Sequence, residues 1–193
     1  ENDLSYDWFT DYFQSEHSDR KHKKQDFTPD GIVTICNNIL GQTTSNADIC
    51  AGTGGLTIKR WSSNKDATFY CEEFSDRAMP FLLFNLAIRN VEGYVKHGDS
   101  LENTFKSVYK LSKGDEFSDI EIVEDNKDIG VDTVIMNPPY SMQWKQKKDD
   151  RFLYGVAPKS KSDYAFLLHG SNKLKDNGKM AIILPHGALF RGS

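Results

Sequence analysis

The chain has 193 residues, a net charge of -4 and a hydrophobic content of 38%. That is enough for one domain with a real core, and a net acidic balance makes a poor autonomous nucleic-acid binder. No apolar run approaches the roughly 18 residues of a membrane span, and no secretory signal pattern is present.

Cys36, Cys50 and Cys71 lack CxxC spacing, which points to reduced cytoplasmic thiols rather than a disulfide framework or a zinc site. The five histidines show no HxxxH spacing, so no metal is expected. The chain starts at Glu1 without a Met and stops at Gly192-Ser193 directly after an apolar strand and turn, the pattern of a fragment of a longer protein.

Residues 1–16 carry Leu4, Trp8, Phe9, Tyr12 and Phe13 at roughly helical spacing, which predicts an amphipathic helix. Arg20-Lys21-His22-Lys23-Lys24 is a basic run whose plainer reading is a solvated linker. Residues 1–26 are thus expected as an N-terminal helix and linker, and 27–193 as the main domain. Phe27-Thr28-Pro29-Asp30-Gly31 opens a helix, with Thr28 as N-cap and Pro29 at the first helical position. Ile32, Val33, Ile35, Ile39 and Leu40 are its expected apolar face. Its free N–H groups could meet an anionic ligand group.

Asn46–Ala51 reads as a short strand, followed by Gly52-Thr53-Gly54-Gly55 and a helical pattern from Thr57. Strand, glycine turn and helix form the layout of a nucleotide-type binding loop, in which glycines let backbone approach a ligand. It is neither GxxxxGK[ST] nor a full GxGxxG, so triphosphate binding is not expected. Ala67–Cys71 is a second strand ending in Glu72-Glu73. Glu73 follows Gly52 by 21 residues, the distance at which an acid can take both ribose hydroxyls. Glu72 is read as a solvated carboxylate. A helix over 75–90 precedes a third strand, Tyr94–Asp99. Asp99 either accepts from an adenine amino group or caps the next turn. Residues 112–130 are polar and predict a surface excursion, with Ile120 and Ile122 in an edge strand.

Val131–Met136 reads as a buried strand that runs into Asn137-Pro138-Pro139-Tyr140. The prolines cannot continue a ladder, and ligands in open α/β sheets bind beyond the carboxyl ends of strands. Asn137 offers an acceptor oxygen, the prolines leave carbonyls free and Tyr140 offers a flat face. Together they suit a planar substrate carrying an NH2 group. Ser141–Pro158 then reads as a mobile loop beside the site, Ser162–Asp176 as a helix stopped by Asn177-Gly178, and Lys179–Leu184 as a fifth strand. The alternation predicts an α/β fold: a mostly parallel sheet with helices on both faces and its acids, glycines and asparagine at one edge.

Asp48-Ile49-Cys50-Ala51-Gly52-Thr53-Gly54-Gly55-Leu56 resembles the cofactor loop of S-adenosylmethionine-dependent methyltransferases. With Asn137-Pro138-Pro139-Tyr140 it resembles the adenine-N6 DNA methyltransferases, in the order found in their γ arrangement. Tyr154–Lys159, Asp163–Phe166 and Leu184–Gly192 are similar to the modification subunit of type I restriction-modification systems. Ile49 departs from the proline often found there, and the five strands counted fall short of the family's seven, so the last two are expected to be missing. The resemblance implies a Rossmann-like methyltransferase fold, truncated at both ends. It implies S-adenosylmethionine as cofactor, duplex DNA with a flipped adenine as substrate, and specificity and restriction subunits as partners. It implies Asn137, Pro138, Pro139 and Tyr140 as catalytic, with Asn137 and Pro138 oxygens on the amino group and Tyr140 stacked on the base. Phe27, Thr28 and Pro29 fall near the methionine carboxylate. Asp48, Cys50, Ala51, Gly52, Thr53, Gly54 and Gly55 surround the methionine and ribose, Glu73 the ribose hydroxyls and Asp99 the adenine. Rival readings are a methyltransferase of protein glutamine or RNA amino groups, a dinucleotide-binding or scaffolding domain, and a cofactor-binding fragment inactive without its partners.

Overall fold

A computed structural model describes residues 3–10, 12, 28–124 and 129–190. Helix α1 (Asp30–Leu40) precedes strand β1 (Ser45–Ile49), helix α2 (Gly55–Ser63), strand β2 (Thr68–Glu73), helix α3 (Met79–Ala87) and strand β3 (Glu92–Asp99). A hairpin of β4 (Thr104–Ser112) and β5 (Asp119–Val123) follows, then β6 (Val131–Met136), helix α4 (Ser162–Asn172) and β7 (Leu174–Ile182). The sheet order is β5-β4-β3-β2-β1-β6-β7. β3, β2, β1, β6 and β7 run parallel; β4 pairs antiparallel with β3, and β5 antiparallel with β4. The chain winds outward from β1 to β3, then returns across the sheet to β6. The strand order therefore reverses between β1 and β6, and the crevice beyond their carboxyl ends is the expected ligand site.

Both central strands are buried because both of their faces are covered, and in β1 that includes the polar Ser45, Asn46 and Asp48. β1 is buried throughout, and in β6 only Asp132 is partly exposed. On one face Phe69, Cys71 and Val95 pack against Met79, Leu82 and Leu86 of α3, while Val33, Cys36 and Leu40 of α1 pack on Leu56 and Ile135. On the other, Ala47, Ile49, Val134 and Met136 meet Ala165 and Phe166 of α4. A fully buried side chain such as Leu82 contributes about 2 kcal/mol by leaving water. Asp132 clasps the other end of the strands. Its Oδ2 accepts from Thr44 N, Thr44 Oγ1 and Ser45 N, and Lys175 donates to Oδ1 at 2.9 Å. These donors hold its carboxyl well below the ordinary range.

The structure corrects several expectations. The sheet has seven strands among the described residues, not the five counted, and the further pair is the β4–β5 hairpin at the edge beside β3. β4 escaped notice because part of it faces solvent and carries lysines and serines instead of an apolar run. The expected edge strand is β5. α3 is shorter than 75–90, because Ser75 to Ala78 form a turn in which Ser75 Oγ accepts from Ala78 N. α4 ends at Asn172, and Asn177, at φ 65, lies with Gly178 in a bulge of β7 rather than stopping a helix. α1 buries Val33, Cys36 and Leu40, whereas Ile32, Ile35 and Ile39 are 40%, 54% and 66% exposed on its flank. The 141–158 loop is not loose. Trp144, Phe152 and Ala157 are buried, and Trp144 Nε1 and Gln146 Nε2 donate to the carbonyls of Pro158 and Ala157. In the N-terminal stretch residues 4–9 form turns, with Thr10 and Tyr12 helical; the rest of the expected helix and the basic run lie outside the described residues.

Candidate active site

Asp48 of β1 sits beside Ile135 of β6 in the parallel register, so the segments leaving both strands emerge at one sheet edge. After β1 the backbone turns sharply. Cys50, Gly52 and Gly54 adopt φ values of 69, 59 and 102. Only glycine takes such angles freely, and a Cβ at Gly52 would meet nothing within 4 Å. The turn therefore has an open side where a ligand can approach backbone. Glu73 closes it from β2: its Oε2 accepts from Gly52 N at 2.7 Å and its Oε1 from Ser75 N at 2.6 Å. Burial pushes its carboxyl up, against those donors.

Burial, then the charges of Glu73, Glu72, Asp48 and Asp99, push the Cys50 thiol well up. Acidic groups thus gather around this turn, a setting that suits a cationic ligand group better than a phosphate.

Asn137 follows β6 at the same edge. Its Nδ2 donates to Thr28 Oγ1 at 2.9 Å, and its Oδ1 accepts from Tyr140 OH at 3.0 Å. Thr28 is therefore not the N-cap of α1. Pro29 takes that position without a side-chain cap bond, and the Thr28 hydroxyl turns to the amide instead. Pro138 is buried, while Pro139 and Tyr140 are partly exposed. Ser141, at φ 53, donates its N–H to Asp163 Oδ1 of α4 at 2.8 Å, which fixes the exit of the turn.

Thr28, Asn137 and Tyr140 thus come together, as do Gly52 and Glu73. Phe27 lies outside the described residues. Asp48 is fully buried and turns under the loop, accepting from Thr57 Oγ1 at 2.7 Å. Burial pushes its carboxyl up to about 7. It is a foundation of the loop rather than an exposed ligand group. Asp99 Oδ1 accepts from Glu102 N at 2.9 Å, which is the turn-capping alternative.

Residues 3–193 match the family described as N-6 DNA Methylase. The chain belongs to that family. The N6-methyltransferase resemblance read from the motifs is therefore borne out. Among curated relatives, the type I restriction enzyme HindI methylase subunit of Haemophilus influenzae is 24% identical, over 93% of this chain and 40% of its own length. The MpnII methylase subunit of Mycoplasma pneumoniae is 26% identical, over 86% and 32%. The chain thus spans well under half of either relative. Among solved structures, a candidate caffeoyl-CoA O-methyltransferase from Staphylococcus aureus superposes with a TM-score of 0.52 at 14% identity, covering 98% of this chain and 76% of that one. A precorrin-6y C5,15-methyltransferase from Geobacter metallireducens reaches 0.50 at 13%, over 86% and 69%. At such identities the likeness concerns the fold, which bears out the Rossmann-like expectation.

In this N-6 DNA methylase chain, two groups of residues escaped sequence reasoning. Glu72 is a buried anion, not a solvated one. His169 Nε2 reaches its Oε2 at 2.9 Å and Lys173 Nζ its Oε1 at 3.4 Å. Arg151 Nη1 lies 3.2 Å from His169 Nδ1; a guanidinium can only donate, so Nδ1 accepts and Nε2–H donates to Glu72. Arg151 also donates to the carbonyls of Ser100 and Leu101, tying the 141–158 loop to the end of β3. The other group joins Thr53 to Asp7, Asn85 and Arg89. Neither has a sequence signal, because the partners lie tens of residues apart.

Proposed function

We propose that this chain carries the catalytic site of an S-adenosylmethionine-dependent adenine-N6 DNA methyltransferase, acting as the modification subunit of a type I restriction-modification system in the cytoplasm. The observation that carries the reading is the pairing of two turns on adjacent parallel strands. The open glycine turn, with acidic groups around it, follows β1, and the Asn137 amide held by Thr28 follows β6.

Glycine-turn backbone from Cys50 to Gly55 would hold the methionine and ribose parts of the cofactor, with Glu73 on the ribose hydroxyls. Bound cofactor supplies an electrophilic methyl group on a sulfonium. The rest is positioning by the chain. A flipped adenine presents its N6 amino group to Asn137 Oδ1 and the Pro138 carbonyl, whose lone pairs take its two N–H bonds. Those acceptors orient the nitrogen lone pair and stabilise positive charge developing on it. Tyr140 must release Asn137 Oδ1 to let the base in, and its ring is then available for stacking. Approach geometry, fixed by rigid prolines on a buried strand, supplies much of the acceleration. Duplex reading falls to a specificity subunit, and a restriction subunit completes the assembly.

Calorimetric titration with S-adenosylmethionine, with NAD as control, tests the first half. Binding of the sulfonium cofactor alone, weakened in Glu73→Ala, is expected. Asn137→Ala should abolish methylation of duplex DNA in the assembled enzyme while cofactor binding survives. Loss of cofactor binding in that variant would assign Asn137 to the wrong partner.

A further inference from the structure

Asp7 belongs to the N-terminal stretch, outside every motif, yet its side chain is only 7% exposed. Its Oδ2 accepts from Thr53 Oγ1 at 2.5 Å and Thr10 Oγ1 at 2.6 Å. Its Oδ1 accepts from Asn85 Nδ2 at 2.9 Å and Phe9 N at 3.0 Å. Asn85, on α3 and fully buried, also donates to the Thr53 carbonyl at 2.8 Å. Arg89, one turn further along, donates to Asn85 Oδ1 at 2.9 Å and to the carbonyls of Leu4 and Tyr6 at 2.6 and 2.7 Å. The segment is thus clamped on the amino-terminal side of Asp7, and the carboxylate points into the back of the glycine turn.

Thr53 is the one residue between Gly52 and Gly54, both at positive φ. Glycines lose the most backbone freedom when ordered, so an untethered turn of this composition would meet a ligand only at an entropic cost. Asp7 and Asn85 hold both oxygens of Thr53 from behind, while Glu73 holds Gly52 N in front. The turn is fixed between two carboxylates from distant parts of the chain.

We propose that Asp7 is a positioning residue for the cofactor turn: the N-terminal segment acts as a strap whose buried carboxylate presets Thr53, and with it the glycine backbone, for S-adenosylmethionine. This rests on the cofactor reading above. The side chain touches no ligand; it acts through Thr53.

Calorimetry on the full-length protein, with S-adenosylmethionine as the probe, separates positioning from mere stability when thermal midpoints are measured alongside. Asp7→Asn keeps the shape but weakens the hydrogen bond to Thr53. It is expected to raise the Kd roughly tenfold, the worth of one charge-assisted bond. Thr53→Val removes the same bond from the loop side and should do likewise. The double variant should raise the Kd by much less than the product of the two single effects, because the Asp7–Thr53 bond is common to both. Val108→Ala, in β4 far from the turn, should lower the midpoint and leave the Kd unchanged. An Asp7→Asn protein that melts earlier but binds as tightly as the parent would overturn the strap. A parent that binds no S-adenosylmethionine would instead sink the cofactor reading, and the strap's purpose with it.

Discussion

Asn137 carries an acceptor and a donor on one amide, and only the acceptor suits an amino-group substrate. Which of them faces the site is set by the partner of the other. Thr28 Oγ1 takes Nδ2, so Oδ1 is turned toward Tyr140 and the pocket. Thr28→Val keeps the β-branched shape and deletes the acceptor. Losing that hydrogen bond on a partly buried amide costs about 1 kcal/mol and lets the amide turn its donor inward. A drop of roughly ten- to hundredfold in the single-turnover methylation rate is expected, with cofactor affinity nearly unchanged, and Thr28→Ser should restore most of it. Weakened cofactor titration with an intact rate would instead make Thr28 a cofactor contact. The sequence showed Thr28 as a helix cap beside a motif. It could not show the amide opposite, because the two residues are 109 positions apart.

β1 and β2 each deliver a buried acid to opposite faces of the sheet, and the two respond to pH with opposite sign. Burial pushes Glu72 up, but the hydrogen bond from His169 and the Lys173 ammonium outweigh it and hold its carboxyl well below its ordinary 4.5. A depressed carboxyl stabilises the fold above its unfolded value, and that stability is lost as pH falls through the acid range. Asp48 is raised from 3.8 to about 7 by burial. It stabilises the fold below 3.8, and that contribution is lost as pH rises toward and through about 7. Urea midpoints measured from pH 3 to 8 should therefore form a dome. Asp48→Asn should flatten its neutral side, and Glu72→Gln its acid side. A neutral side unchanged by Asp48→Asn would mean that the carboxyl is already ionised in the fold. At this scale the sequence was legible where both sides of an element are buried. β6 is a short, largely apolar run with turn residues after it; β1, β2 and β3 carry more polar residues but emerged through the glycine turn or acid that ends each of them. β4 did not, since half of it faces water. The α1 flank was misjudged because five aliphatic residues fill more than the one stripe a helix can bury against a sheet.

Over the whole molecule, the proposed function separates the chemistry from the means of finding DNA. The site needs a flipped base, which requires a duplex held and distorted around it. A net charge of -4 gives little counterion release to drive that, and the Arg20–Lys24 run is the densest basic stretch in the chain. The chain also spans only 40% and 32% of its two methylase-subunit relatives. Duplex binding by the chain alone is thus expected to stay in the non-specific range, weaker than about 10⁻⁶ M at physiological salt. Its dependence on salt should be shallow. Adding the specificity subunit of the proposed type I system should tighten binding by at least about a thousandfold on the right sequence. Methylation, followed by transfer of labelled methyl groups to duplex DNA, should appear only in that mixture. Asn137→Ala in the same mixture should bind DNA normally and transfer nothing, because the amide acts after the duplex has been recognised. Efficient methylation of free duplex by the chain alone would contradict the division of labour, since the acidic domain would then have to supply both grip and base extrusion from its own surface.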